Sequence, residues 1–176
     1  MSEFILELYS EEMPPNLQVN ARHDLKEKIQ SSLLDENLKF SSLKVFSSPT
    51  RLTVLIKGFS EKIQIPSKEI RGPKVGVMED IINNFLKAHD SSRKDLVEKQ
   101  SGKGNFYYVK TKAKEVLASE ILKKIIVNSI AAIKWKKSMR WADTDLLWGR
   151  PLRSIMAIYN SRTLAFTFGH LKANDF

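Results

Sequence analysis

The chain of 176 residues has 42% hydrophobic and 28% charged side chains, which is normal for a globular protein, and it carries a net charge of +9. It contains no cysteine, which excludes disulfides, thiolate chemistry and zinc sites with cysteine ligands. No apolar run approaches the ~20 residues that cross a bilayer, and the first residues lack the basic leader of a signal peptide, so we expect a cytoplasmic protein without a membrane partner.

The first half of the sequence predicts strands around one long helix. Residues 4–9 form a short apolar strand, and Pro14-Pro15 then begins a helix, because proline is tolerated in a first helical turn. Residues 52–59 and 63–65 alternate as strands do. The predicted helix carries an apolar stripe at intervals of four residues, namely Leu17, Ala21, Leu25, Ile29 and Leu33.

The second half predicts two more helices and two hairpins. Met78, Ile81, Ile82, Phe85 and Leu86 have the spacing of an amphipathic helix. Residues 96–100 and 105–112 flank Ser101-Gly102-Lys103-Gly104, which predicts a hairpin. A long helix over 115–133 is expected to bury Leu117, Ile121, Ile125, Ile126 and Ile130, and a last hairpin is expected over 154–168 around Asn160-Ser161.

This order of elements predicts an α+β fold, in which antiparallel sheets pack against three main helices, because strict β-α-β alternation is absent. The turn-rich stretch 66–76 is the best candidate boundary. We therefore expect an α+β subdomain (1–70), a helix–hairpin–helix subdomain (71–140) and a carboxy-terminal hairpin segment (141–176) that can pack back on the first subdomain.

The sequence offers no complete catalytic constellation. His23, His89 and His170 are far apart in sequence and lack metal-ligand spacing, and no G-x-S-x-G nucleophile motif is present. The acids Glu7, Glu11 and Glu12 either could hold Mg²⁺ or supply favourable charge at a helix amino terminus. We predict no catalytic and no metal-binding residue.

The excess positive charge is concentrated late in the chain. Residues 1–92 carry 12 basic and 13 acidic side chains, whereas residues 93–153 carry 15 basic and 6 acidic ones. This asymmetry indicates an anionic partner, with nucleic acid ahead of a membrane surface. The alternative is that lysines such as Lys110, Lys112 and Lys114 only keep one side of a strand in water.

The densest basic segment also holds all three tryptophans. It runs from Lys134 to Trp141 and continues at Trp148 to Arg153. Cations interleaved with large aromatic rings can bind phosphates and stack on bases. The alternative is that the tryptophans anchor a core and the arginines brace loops through their fixed fork of donors.

Five motifs in order resemble one protein family. They are residues 5–15 (I-L-E-L-Y-S-E-E-M-P-P), 46–52 (F-S-S-P-T-R-L), 71–73 (R-G-P), 137–141 (K-S-M-R-W) and 150–153 (R-P-L-R). Together they resemble the amino-terminal part of the β subunit of bacterial two-subunit (α2β2) glycyl-tRNA synthetases, over nearly the whole chain. Thr50 and Ser154 depart from the pattern, where the family usually has arginine and tryptophan.

The resemblance implies a noncatalytic portion of an ATP-dependent glycine–tRNA ligase. In the family, the α subunit holds the site for ATP, Mg and glycine, and the β subunit continues into a helical domain and an anticodon-binding region. The implied partners are therefore the α subunit and tRNA(Gly), with no cofactor in this portion. The candidate RNA- or subunit-binding residues are Arg51, Arg71, Lys136, Lys137, Arg140, Trp141, Arg150 and Arg153.

Three functional hypotheses therefore remain at this point. The first is a synthetase β-subunit portion that assembles with an α subunit and helps to bind tRNA. The second is a freestanding RNA-binding module that acts without an α subunit. The third is a hydrolase or editing-type enzyme that uses Glu7, Glu11 and Glu12.

Overall fold

The computed structural model describes residues 2–102, 104–111, 113–140 and 146–174. The chain divides into two compact units, one formed by residues 1–63 and 117–176 and the other by residues 64–116. The α+β prediction is confirmed, since both units combine helices with mainly antiparallel strands. The α-helices are α1 (Pro15–Asp35), α2 (Glu79–Ala88) and α3 (Ala118–Ala131).

Strands make up much of the described chain, and a short 3₁₀ helix (Arg93–Asp95) precedes one of them. In chain order the strands are β1 (Ser2–Ser10), β2 (Ser42–Ser47), β3 (Arg51–Phe59), β4 (Lys62–Ile65), β5 (Glu69–Lys74), β6 (Leu96–Ser101), β7 (Gly104–Lys110), β8 (Lys114–Leu117), β9 (Met139–Arg140), β10 (Leu147–Trp148), β11 (Leu152–Tyr159), β12 (Arg162–Thr163), β13 (Thr167–Phe168) and β14 (Leu171–Asn174).

The first unit is built on a sheet with the order β13-β14-β11-β1-β3-β2, and β12 pairs with β11. Its central strand β1 pairs antiparallel with β3 on one side and β11 on the other. Period-two alternation places one face of each strand in the core. The buried residues of these three strands include Phe4, Leu6, Leu8, Leu52, Val54, Ile56, Ile155 and Ala157.

Helices α1 and α3 cover this unit's core. The predicted stripe of α1 is confirmed, because all five of its residues are buried, from Leu17 to Leu33. α1 contacts β2, β3 and α3. In α3, the predicted burial of Ile121, Ile125, Ile126 and Ile130 is likewise confirmed.

The predicted start of α3 is wrong by three residues. Lys114–Leu117 forms β8, which pairs with β4, and the helix begins at Ala118. The Ala118 N–H donates to the Glu61 carbonyl oxygen (2.8 Å), so the backbone bonds of this segment go to a neighbouring strand instead of a first helical turn. The predicted burial of Leu117 is also wrong, since 52% of this residue is exposed.

The second unit packs α2 against a three-stranded sheet with the order β5-β7-β6. The predicted hairpin is confirmed, with Ser101 opposite Gly104 at its end. Ile82 and Leu86 of α2 form a small core with Val109, as the spacing predicted. Met78 and Ile81 were expected on the same apolar face, but they are 76% and 47% exposed. Met78 precedes the first helical residue, and the three-stranded sheet covers only a narrow stripe of the helix surface.

An ion pair ties α2 to the 3₁₀ helix of the same unit. The Arg93 guanidinium donates a hydrogen bond to the Glu79 carboxylate. This hydrogen bond and the positive charge of Arg93 hold the pKa of Glu79 below its ordinary value. Both side chains are largely exposed, so this ion pair orients the two segments locally and adds little to the free energy of unfolding.

The final hairpin forms only in part. Asn160 and Ser161 both have positive φ (46° and 62°), the requirement of the type I′ turn that joins β11 to β12. The returning strand ends at Thr163, and β13 then pairs with β14, so the single strand predicted over 163–168 is wrong.

The two units divide the chain differently from the three predicted segments. α3, assigned to the middle segment, packs on α1. β11 of the last segment pairs with β1, and packing of this segment on the first subdomain was part of the expectation. Residues 64–116 are thus inserted between two parts of one sheet-based unit. Within the described residues, no helix combines the length and apolarity needed to span a bilayer.

Candidate functional site

Three of the sequence motifs meet at the carboxyl end of β1. The Ser10 N–H donates to the Thr50 carbonyl oxygen (2.8 Å), and the Met13 N–H donates to that of Pro49 (2.6 Å). On the other side, the Glu11 N–H donates to the Pro151 carbonyl oxygen (2.9 Å). We call residues 10–13, 49–51 and 150–153 the motif junction. Backbone hydrogen bonds give this junction a defined geometry, because they fix the chain where no regular ladder continues.

Two arginines of the motif junction pair with acids of β1 and of the residue after it. The Arg51 Nε lies 3.0 Å from the Glu7 Oε1, and the Arg153 Nη2 lies 2.5 Å from the Glu11 Oε1. Arg51 also lies 4.8 Å from the centre of the Tyr9 ring. These guanidinium groups are exposed and held in place, so they present ordered donors at the surface.

Two acidic residues near the carboxyl end of β1 are used in these pairs. Glu7 and Glu11, two of the three acids considered for Mg²⁺, each face an arginine. Among the residues that the structure describes, no group of three or more His, Asp or Glu side chains is placed to hold a metal ion. Glu7 and Glu11 are thus held in ion pairs with arginines.

An aromatic cluster lies beside the motif junction in sequence. Trp148 is buried, its ring centre lies 4.8 Å from that of Trp135, and it meets Phe168 edge-on at 5.7 Å. Gly149 lies against the Trp135 ring. Trp148 thus anchors a core, as the structural alternative supposed, whereas Trp135 is half-buried.

The basic segment follows α3 and runs past this cluster. The Lys134 N–H donates to the Asp24 carboxylate (3.1 Å), which ties the segment to α1. Lys136 and Lys137 are exposed, and Arg140 is exposed on β9, opposite Leu147 of β10. Arg150 is half-buried before β11. Trp141 lies outside the described residues.

Arg71 belongs to the second unit. Its guanidinium lies 3.7 Å from the centre of the Phe106 ring, on the adjacent strand β7. Phe106 and Tyr108 were not among the site residues predicted from the sequence. Their spacing of two residues predicts that both rings share one face of a strand, but it does not show which residues of neighbouring strands lie beside them.

A family model described as "Glycyl-tRNA synthetase beta subunit" matches residues 4–176, which is nearly the whole chain. The chain belongs to the glycyl-tRNA synthetase β-subunit family. The resemblance inferred from the five motifs is therefore confirmed.

Individual members of the glycyl-tRNA synthetase β-subunit family agree with this assignment. The glycine–tRNA ligase β subunits of Rickettsia peacockii and Rickettsia africae are each 40% identical over 176 residues, and that of Rickettsia prowazekii is 38% identical over 175. Each alignment covers 99% of this chain and 26% of the relative. The chain thus spans about a quarter of the length of the curated relatives that it matches.

In this member of the β-subunit family, the fold brings motifs that are distant in sequence close together in space. The first, second and last motifs supply the three strands and turns of the motif junction, where Ser10, Thr50 and Pro151 are joined by backbone bonds. Thr50 contributes its backbone carbonyl there, and Arg51 makes the side-chain pair with Glu7. The departure at Thr50 therefore leaves one ordered arginine at this position.

Proposed function

We propose that this chain is the noncatalytic, amino-terminal portion of the β subunit of a glycine–tRNA ligase, and that it contributes to assembly with the α subunit and to tRNA binding. Family membership over residues 4–176 carries the proposal. In the proposed holoenzyme, ATP-dependent charging of tRNA(Gly) takes place at the α subunit, which holds ATP and Mg. This amino-terminal portion contributes to positioning the tRNA and to contacts with the tRNA and the α subunit.

Two surface features support a role in binding tRNA or the α subunit. Lys136 and Lys137 are exposed beside the half-buried ring of Trp135, a combination suited to phosphates and a stacked base. Arg51 and Arg153 are exposed and pre-ordered by their acids at the motif junction. Ordered guanidinium forks suit either RNA phosphates or the carboxylates of a partner subunit.

Co-purification with the α subunit tests the proposal. The 176-residue chain is expressed with a tagged α subunit from the same genome, and we expect both chains to elute together in size-exclusion chromatography. Elution of the chain alone, with tRNA binding retained, would instead support a freestanding RNA-binding module. If the chain binds neither the α subunit nor tRNA, the proposal is wrong.

A further inference from the structure

One face of the second unit's sheet is packed against α2, and its other face is not part of that core. Tyr107, Val109 and Leu96 contact α2 residues, so the odd-numbered side of β7 points to the helix. The opposite side carries Phe106 and Tyr108, which are half-buried. We call this second side of the β5-β7-β6 sheet the open face.

Four cations surround the two rings on the open face. The register places Lys74 opposite Phe106 and Arg71 opposite Tyr108 on β5, and it places Lys99 opposite Phe106 on β6. Lys110 follows Tyr108 by two residues on β7 and is opposite Glu69. All four cations are exposed, so the face carries positive charge around an aromatic centre.

The acid on this face does not cancel its charge. Glu69 pairs with Lys99, which leaves Arg71, Lys74 and Lys110 as an excess of positive charge over the face. Arg71 lies 3.7 Å from the Phe106 ring centre, and Lys99 lies 5.7 Å from that of Tyr108. A flat base can stack on such a guanidinium plane or displace a cation from the ring toward a phosphate.

We infer that the open face binds single-stranded RNA, with bases stacked at Phe106 and Tyr108 and phosphates held by Arg71, Lys74 and Lys110. The inference rests on the proposed role in tRNA binding and assigns part of it to the second unit. Sheet-based RNA-binding modules stack unpaired bases on aromatic rings that project from one face of the sheet.

The geometry favours unpaired RNA over other anionic partners. Phe106 and Tyr108 are two positions apart on the strand, about 7 Å, so two rings are presented in succession along one strand. Two rings in a row suit a ligand that carries a flat group on every unit of a charged chain. An acidic peptide would use the cations but has no systematic need for the rings, and duplex RNA hides its bases within the stack.

The test measures binding of the 176-residue chain to a fluorescent oligouridylate of roughly ten nucleotides, within the usual range of site sizes. Phe106→Leu and Tyr108→Leu should each weaken binding by about 5- to 150-fold, the effect of losing one stacked base. Lys110→Gln should reduce the slope of log affinity against log salt by about 0.7, as expected for one phosphate contact on a single strand. The aromatic variants should leave that slope unchanged.

Controls separate this site from other sources of binding. Lys87→Gln lies on α2, which packs on the opposite face, and should leave the affinity nearly unchanged. Circular dichroism of each variant establishes that the sheet is intact. A duplex of the same length should bind more weakly than the oligouridylate and should not respond to Tyr108→Leu.

Different failures have different meanings. Unchanged oligouridylate affinity in both aromatic variants, with tRNA binding still dependent on Lys136 and Lys137, would overturn this inference and leave the proposed function standing. Displacement of the oligouridylate by polyglutamate, without any effect of Tyr108→Leu, would overturn it in favour of an acidic protein partner. The absence of all RNA binding would overturn both the inference and the tRNA-binding part of the proposed function, while co-purification with α would still test assembly.

Discussion

Gly149 lies directly against the indole ring of Trp135. A Cβ added at position 149 would be 2.4 Å from Cε3 and 2.5 Å from Cζ3 of that ring. Real Cβ atoms do not approach ring carbons so closely, so any side chain at position 149 must displace the tryptophan. The contact with Gly149 holds the half-buried Trp135 against the buried Trp148. The exposed Lys136 and Lys137 of the basic segment follow Trp135 in sequence.

The first prediction follows from this contact. Gly149→Ala should lower the free energy of unfolding by about 1–3 kcal/mol, because an extra methyl group is forced into a packed site. Urea denaturation measures the effect. Gly104→Ala is the matched control, since its Cβ would meet only the flexible end of Lys74 at 3.3 Å and the Phe106 ring at 3.5 Å. In a Trp135→Ala background, Gly149→Ala should cost much less; equal costs in both backgrounds would contradict the contact.

A second prediction concerns α3. Ile126→Ala should lower the free energy of unfolding by about 2–5 kcal/mol, because Ile126 is fully buried between the helix and its neighbours. Leu117→Ala should change it by less than about 0.5 kcal/mol, because Leu117 precedes the helix and is half-exposed. Similar losses for the two variants, measured by chemical denaturation, would mean that Leu117 is buried after all.

A third prediction concerns the motif junction. Arg153→Lys should change the free energy of unfolding by less than about 1 kcal/mol, because the Arg153–Glu11 pair is solvent-exposed and water screens it. If this arginine acts in binding, the same variant should still weaken the complex with tRNA or the α subunit, because lysine keeps the charge and loses the fork. Thermal unfolding and affinity are measured on the same samples. Glu11→Gln serves as the control, because it removes the ion pair and keeps Arg153. A large loss of stability with unchanged affinity would make Arg153 a structural brace.

A fourth prediction concerns chemistry. The chain alone should not catalyse glycine-dependent ATP–pyrophosphate exchange, because the proposed function assigns the site for ATP and glycine to the α subunit. The measurement compares the chain, the α subunit and their mixture. Exchange by the chain alone, above a no-enzyme control and abolished by a substitution within the chain, would refute the assignment.

Local periodicity predicted much of this fold because most of its elements are amphipathic. The stripe from Leu17 to Leu33 and the alternation of Leu52, Val54 and Ile56 were read from spacing alone, and both are buried. Periodicity failed at Leu117, where pairing with a distant strand competes with the first turn of a helix. Spacing alone also could not show that Met78 and Ile81 lie beyond the narrow sheet that covers α2.

The candidate site was less predictable because it depends on long-range pairing. β1 lies between β3 and β11, so Glu11 and Arg153 meet across 142 positions of the chain. The motifs identified the participating segments but not their contacts. The ring pair of Phe106 and Tyr108 became visible only when the register placed cations of two other strands beside them.

The last prediction tests the basic segment as an RNA-binding surface. Lys136→Glu with Lys137→Glu should weaken tRNA binding and flatten its salt dependence, because fewer counterions are released on binding. The slope should fall by about 0.7–0.9 for each phosphate that the variant no longer neutralises. Lys136 and Lys137 are exposed after α3, so reversing their charge should leave the stability of the chain unchanged within about 0.5 kcal/mol.

A charge-matched control decides what a loss of binding means. Lys26→Glu with Lys39→Glu makes the same change in net charge at exposed positions outside residues 93–153. If direct phosphate contacts of Lys136 and Lys137 contribute to binding, this control should reduce tRNA affinity less and leave the salt slope nearly unchanged. If the two double variants have equal effects, the basic segment contributes to tRNA binding only through the net charge of the chain. An unchanged slope in the Lys136 and Lys137 variant, with loss of co-purification with the α subunit, would instead identify this segment as a docking surface for α.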